Sequence, residues 1–150
     1  MKTMIAGLLL FGAQAMACPN LAGNYTCTYE GQTSVIQMSQ TENNGVTVYT
    51  IKDANDPQNQ GGSLPADNNT YRLQDSDQVK NGTIRGWCEA EAFKIEQTGE
   101  YYDKGQHIGN VQAVISMYLT NGNLVQDTAG TFTTPSGNYP INSQVTCTPN

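Results

Sequence analysis

The clearest pattern in the chain is "VQAVISMYL", residues 111–119, where Val111, Ala113, Ile115, Met117 and Leu119 alternate with mostly polar neighbours. Alternation with period two places one set of side chains on one face of a β-strand. Only Val114 interrupts the polar set. Asn121-Gly122 follows directly, the pair favoured in a two-residue type I′ hairpin because both residues accept positive φ. That turn sets Thr120 opposite Asn123 and Leu119 opposite Leu124. Leu124, Gln126, Thr128 and Phe132 then share a face with Met117 and Ile115, and Gln126 marks this face as apolar with polar interruptions.

The same reading predicts strands over residues 23–30, 33–41, 46–52, 70–74, 83–98 (broken near Gly86) and 141–147. "ENNG" and "TNGN" read as hairpin turns, and the Pro-, Gly-, Asn- and Asp-rich residues 53–69 as one long loop. "CEAEAFKIEQ" is ambiguous because Ala and Glu favour helix. Phe93 and Ile95, two apart and flanked by strands, favour a strand there, with a short helix as the alternative. About eight short strands with no internal repeat predict a single all-β domain, an antiparallel barrel or a β-sandwich.

The first residues change where this domain is expected to live. "MKTMIAGLLLFGAQAMA" has a positive Lys2, an apolar run from Met4 to Phe11 and the small-x-small pattern Ala15-Met16-Ala17, the marks of a removable secretory signal. The expected division is a signal peptide at 1–17 and a domain at 18–150, exported to the periplasm or the medium. The apolar run is too short to span a bilayer, and no later segment is long enough, so no transmembrane segment is expected. Removing the leader takes away one cation, Lys2, and moves the net charge from −6 to −7. An acidic chain of this kind lacks the basic face that nucleic acid or an anionic membrane requires.

Four cysteines follow the leader: Cys18, Cys27, Cys88 and Cys147. An even count in an exported chain favours two disulfides. The alternative is a lipid anchor on Cys18, but Ala15 and Met16 match a lipobox poorly, and lipidation would leave an odd number of thiols. "LAGNYTC" resembles the first strand of lipocalin-like (calycin) barrels, whose Gly-x-Trp motif appears here as Gly23 and Tyr25. The longer opening, C-P-x-L-x-G-x-Y-x-C, is similar to that of small exported bacterial proteins of unassigned function. The resemblance covers about ten residues together with the meander of strands. It implies an up-and-down β-barrel of about eight strands. In such a barrel the first and last strands pair antiparallel, bringing Cys18 near Cys147 and leaving Cys27 for Cys88. Four cysteines allow three connectivities, so the other two stay open.

No catalytic signature stands out. His107, the only histidine, lies in the polar segment "DKGQHIGN" with no nucleophile or orienting partner beside it in sequence. Glu89 with Glu91, and Asp75 with Asp77, are carboxylate pairs of a kind common on exposed faces. Asp53, Asn55, Asp56 and Asn59 are oxygen-rich, but a calcium loop counted from Asp53 needs Gly at its sixth position and Glu at its twelfth, where Gln58 and Leu64 stand. The Asn-x-Thr triplets at Asn24, Asn68 and Asn81 are read as chance. No metal, cofactor or enzymatic activity is expected. The aromatic residues are more suggestive. Tyr25, Tyr29, Trp87 and Phe93, with Ile115, Met117 and Gln126, are the candidate lining of a barrel interior that binds a small, partly apolar ligand; the bland reading is that these side chains simply fill the barrel. The alternative function is a protein-interaction module, such as an inhibitor of a lysozyme-type enzyme acting through loops 53–69 or 99–110. "YTC" is similar to the opening of one family of exported lysozyme inhibitors, and acidic charge suits a basic target.

Overall fold

The computed structural model describes residues 17–55, 58 and 61–150. The leader up to Met16, and Asp56 and Asn59 of the oxygen-rich cluster, therefore lie outside the described residues. The described residues form ten strands: β1 (Gly23–Tyr29), β2 (Gln32–Asn43), β3 (Val46–Asp53), β4 (Gly62–Pro65), β5 (Thr70–Arg72), β6 (Val79–Glu89), β7 (Ala92–Asp103), β8 (Gln106–Thr120), β9 (Asn123–Thr134) and β10 (Gly137–Pro149). They form one antiparallel sheet in the order β4-β3-β2-β1-β10-β9-β8-β7-β6-β5. Except for β4 and β5, chain neighbours are sheet neighbours, and β1 also pairs with β10. This is the up-and-down meander with paired first and last strands, and a single sheet is no sandwich. The sheet ends, however, at β4 and β5, which do not pair. It curls into a half-barrel of ten strands rather than a closed barrel of about eight.

The turns follow from local chemistry. Asn44-Gly45, Lys104-Gly105 and Asn121-Gly122 all take positive φ at both residues, the conformation that matches hairpin twist. Thr120 faces Asn123 and Leu119 faces Leu124, and Gln126 and Thr128 stand opposite Met117 and Ile115. The expected strand 83–98 is instead two strands. Its break falls at Ala90 (φ 54°), not at Gly86, and "CEAEAFKIEQ" is the β6–β7 hairpin. Residues 99–110, expected as a loop, form the turn end of the β7–β8 hairpin. The expected loop 53–69 contains β4, whose Leu64 is buried opposite Tyr49.

Contacts across the concave face hold the curl. Tyr49 of β3 stacks on Phe93 of β7 with ring centroids 4.0 Å apart, although five strands separate them along the sheet. The Ala66 N–H donates to the Thr47 carbonyl and the Asn68 N–H to the Gly86 carbonyl, each at 2.8 Å, so the β4–β5 connection bridges the gap. Gly86 is required there: a Cβ would stand 2.8 Å from the Pro65 carbonyl oxygen and 2.9 Å from a Leu64 methyl carbon. The core gathers at this end, around Leu21, Tyr25, Met38, Tyr49, Phe93, Met117 and Leu124. Residues 18–22 lie across it, anchored where the Tyr25 hydroxyl donates to the Leu21 carbonyl (3.1 Å) and the Tyr49 hydroxyl to the Pro19 carbonyl (2.6 Å).

Two disulfides form, with a connectivity different from the expected one. Cys18 bonds Cys88, and Cys27 bonds Cys147. The paired termini strands were anticipated, but the register was not. β1 begins at Gly23, so Cys18 lies before it in the segment crossing the core, within reach of β6. Cys27 sits directly opposite Cys147 in the ladder.

Candidate functional site

The seven residues expected to line one interior are divided among three places. Tyr25, Phe93 and Met117 are buried in the filled end: Phe93 is 0 % and Met117 2 % exposed, so they are core rather than cavity wall. Burial raises the pKa of Tyr25. Ile115 packs half-buried against the same core. Trp87 stands on the outer face of β6, since its neighbour Cys88 faces the core and successive side chains alternate. The Arg85 guanidinium lies 4.8 Å over its ring and pairs with Glu96 at 2.9 Å. Trp87 thereby borders an open polar dish of about 960 Å³ with Gln40, Glu42, Asp67, Asn68 and Arg85.

Tyr29 and Gln126 do come together. The β1–β10 ladder stops at Cys27 opposite Cys147, while β1 and β2 continue to a turn at Glu30-Gly31, both with positive φ. Past the disulfide, β1 and β10 diverge, and the wedge between them is a cleft of about 340 Å³ lined by Tyr29, Gln32, Ser34, Ile36, Gln126 and Val145. These six side chains belong to the concave face: Ser34 stands opposite Cys27, Ile36 opposite Tyr25, and Val145 opposite Gln126, while Thr33, on the other face, borders the rim. The ring of Tyr29, with Ile36 and Val145, supplies apolar wall. Gln32 and Gln126 supply amide donors and acceptors, and Ser34 a hydroxyl. Among the described residues no charged side chain lines the cleft, so it favours a neutral group with an apolar body and one or two polar atoms.

Sequence reasoning missed Gln32, Ser34, Ile36 and Val145. The signal that finds them is the register. With Cys27 bonded to Cys147, two steps along each strand lead to Tyr29 and Val145 on the same face. The expected pairing of Cys18 with Cys147 hid that step.

The candidate catalytic groups have structural partners. His107 is exposed at the start of β8, with Nε2 3.1 Å from Asn110 Oδ1 and its ring tilted against Tyr102. Glu89 forms an ion pair with Lys94, which holds its carboxyl below the usual range, while Glu91 lies in the following turn. Asp75 accepts from the Asn81 N–H at 2.9 Å, and Asp53 from the Asn55 N–H at 2.9 Å, an Asx turn. Among the described residues no three His, Cys, Asp or Glu side chains are grouped to hold a metal ion, and no helix is long and apolar enough to cross a membrane. Compared with known proteins, the chain matches no family model, no curated protein and no solved structure.

Proposed function

We propose that the protein is an exported, non-catalytic binding module that takes a small, partly apolar molecule in the cleft between β1–β2 and β10. The observation that carries this reading is the cleft itself. Its volume of about 340 Å³ falls in the range of small-molecule sites, about 300–1,000 Å³, and its mixture of aromatic and aliphatic wall with amide groups is the usual chemistry of such sites. The interior that a closed barrel would offer is taken up by Tyr49, Phe93, Met117 and Leu124, which moves the ligand to the seam. Two disulfides in a chain with an apolar leader accord with an oxidising compartment outside the cytoplasm.

The test is titration of the disulfide-bonded protein with N-phenyl-1-naphthylamine, a neutral aromatic probe whose fluorescence rises in apolar surroundings. Saturable enhancement is expected, and Ser34→Trp, at an exposed position of the cleft wall, removes it while the circular dichroism spectrum is kept. No saturable enhancement, or enhancement indifferent to Ser34→Trp, refutes the reading.

A further inference from the structure

β10 has the longest unpaired edge in the sheet. Its ladder to β9 runs from Gly137 to Cys147, but its ladder to β1 covers only Cys147–Pro149. Among the described residues, positions 138–144 thus have a strand on one side only. The Asn150 N–H donates to the Asn24 carbonyl at 2.9 Å, and in an antiparallel ladder every second residue turns both backbone groups to the same side. Even-numbered residues of β10 therefore face the open side. Asn138, Asn142 and Gln144 each present a free N–H and C=O, and Pro140 a C=O alone. The side chains of Tyr139, Ile141, Ser143 and Val145 lie on the concave face.

Proteins usually guard such an edge with charge, shortness or a covering segment. β4 and β5, where the sheet ends, are guarded by length, at four and three residues. The β10 edge has only Pro140 as a guard, because residues 128–150 contain no Asp, Glu, Lys, Arg or His. We propose that this edge pairs with the same edge of a second copy, antiparallel about a two-fold axis at Asn142, within the free stretch. An isologous contact needs a self-complementary surface, and this one has it in two respects. No like charges meet, despite the net charge of −6. The axis also sets Tyr139 of each copy opposite Val145 of the other on one continuous concave face. Tyr139 is 52 % exposed and Tyr29 49 % exposed, and Tyr29 and Val145 are walls of the seam cleft. Each copy's Tyr139 ring therefore enters the other's cleft, its hydroxyl within the neighbourhood of the Gln32 and Gln126 amides. Pro140 meets Gln144, whose N–H donates to the Pro140 carbonyl. The pairing stands on the edge and does not rest on the ligand reading, but it makes a ligand and a second copy competitors for one cleft.

The test is sedimentation velocity of the disulfide-bonded protein from about 1 to about 500 μM, because a dimer's population follows protomer concentration. The sedimenting mass is expected to double toward the upper end. Asn142→Lys sets two ammonium-bearing residues about 5.5 Å apart at the axis, at an exposed position, and is expected to weaken association by about a hundredfold or more. Asn142→Gln keeps the dimer, and Tyr139→Ala weakens it by at least about tenfold. Amide exchange at Asn142 and Gln144 slows at the concentrations where mass doubles. A monomer throughout the range, a dimer indifferent to Asn142→Lys, or new protection on β4 or β5 instead of β10 overturns the proposal.

Discussion

Removing the Cys27–Cys147 bond tests the fold at its weakest join. The double substitution Cys27→Ala/Cys147→Ala opens a loop of sequence separation 120. In the chain-entropy account, a loop of that length restricts the unfolded chain by about 16 cal/mol/K, or about 4.9 kcal/mol at 25 °C. The same account gives about 4.4 kcal/mol for Cys18–Cys88, at separation 70. Native relaxation makes these upper values, so a measured loss of about 3–5 kcal/mol is expected. The assay is urea unfolding: with a slope of about 2 kcal/mol/M, the midpoint falls by about 2 M. The structure also dictates where the loss is felt. The β1–β10 ladder covers just Tyr25–Cys27, extended by the Asn150 N–H to the Asn24 carbonyl, so amides of β1 and β2 should lose exchange protection before those of β7, β8 and β9, which are joined by long ladders. Peptide mapping secures the premise. No Lys or Arg separates Cys18 from Cys27, so cleavage after Tyr25 under denaturing, non-reducing, acidic conditions is needed. A stability loss below about 1 kcal/mol, with m unchanged, would refute the magnitude, and a Cys18–Cys147 peptide would refute the connectivity.

Two further outcomes follow from the core. Phe93→Ala, at a fully buried ring stacked on Tyr49, should cost about 3–5 kcal/mol in the same unfolding assay; a cost under about 1 kcal/mol would mean that the filled end is not packed as described. The Tyr49 hydroxyl, desolvated by burial, is pushed up to about 12 from an ordinary 10.0. The folded protein keeps that proton where the unfolded chain releases it, so the stabilisation is complete below pH 10 and is lost as pH rises to 12. The loss should amount to about 2–3 kcal/mol. Tyr49→Phe should flatten that alkaline slope, and an unchanged slope would assign it to other groups.

The sequence made the strands legible because their signals are local. Alternation at 111–119 and the Asn-Gly turn that follows fix both the β8–β9 hairpin and its register, since a two-residue turn leaves no freedom in pairing. The β6–β7 break was misplaced for an equally local reason. Gly86 looked like the interruption, yet it serves as the small residue over which Leu64 and Pro65 pass, a contact between segments remote in sequence. Ala90, whose composition suggests helix, makes the turn. β4 was hidden in a loop-like composition because one buried residue, Leu64, is all that marks it.

The candidate lining shows the same division. Period two correctly placed Phe93, Ile115, Met117 and Gln126 on one face, but a face does not say which of its residues end up beneath other strands and which beside an opening. That depends on where β1 leaves β10. The amino-acid sequence by itself determined an antiparallel meander of short strands carrying cysteines in an even number, and the resemblance to calycin barrels implied the pairing of its first and last members. Tertiary structure alone decided which cysteines meet, that the sheet stays open between β4 and β5, and that Tyr29, Ile36, Gln126 and Val145 share a cleft. The physical reason is range: hairpin register is set by two-residue turns, whereas curl, closure and cavity depend on contacts such as Tyr49 on Phe93, between strands far apart in the chain.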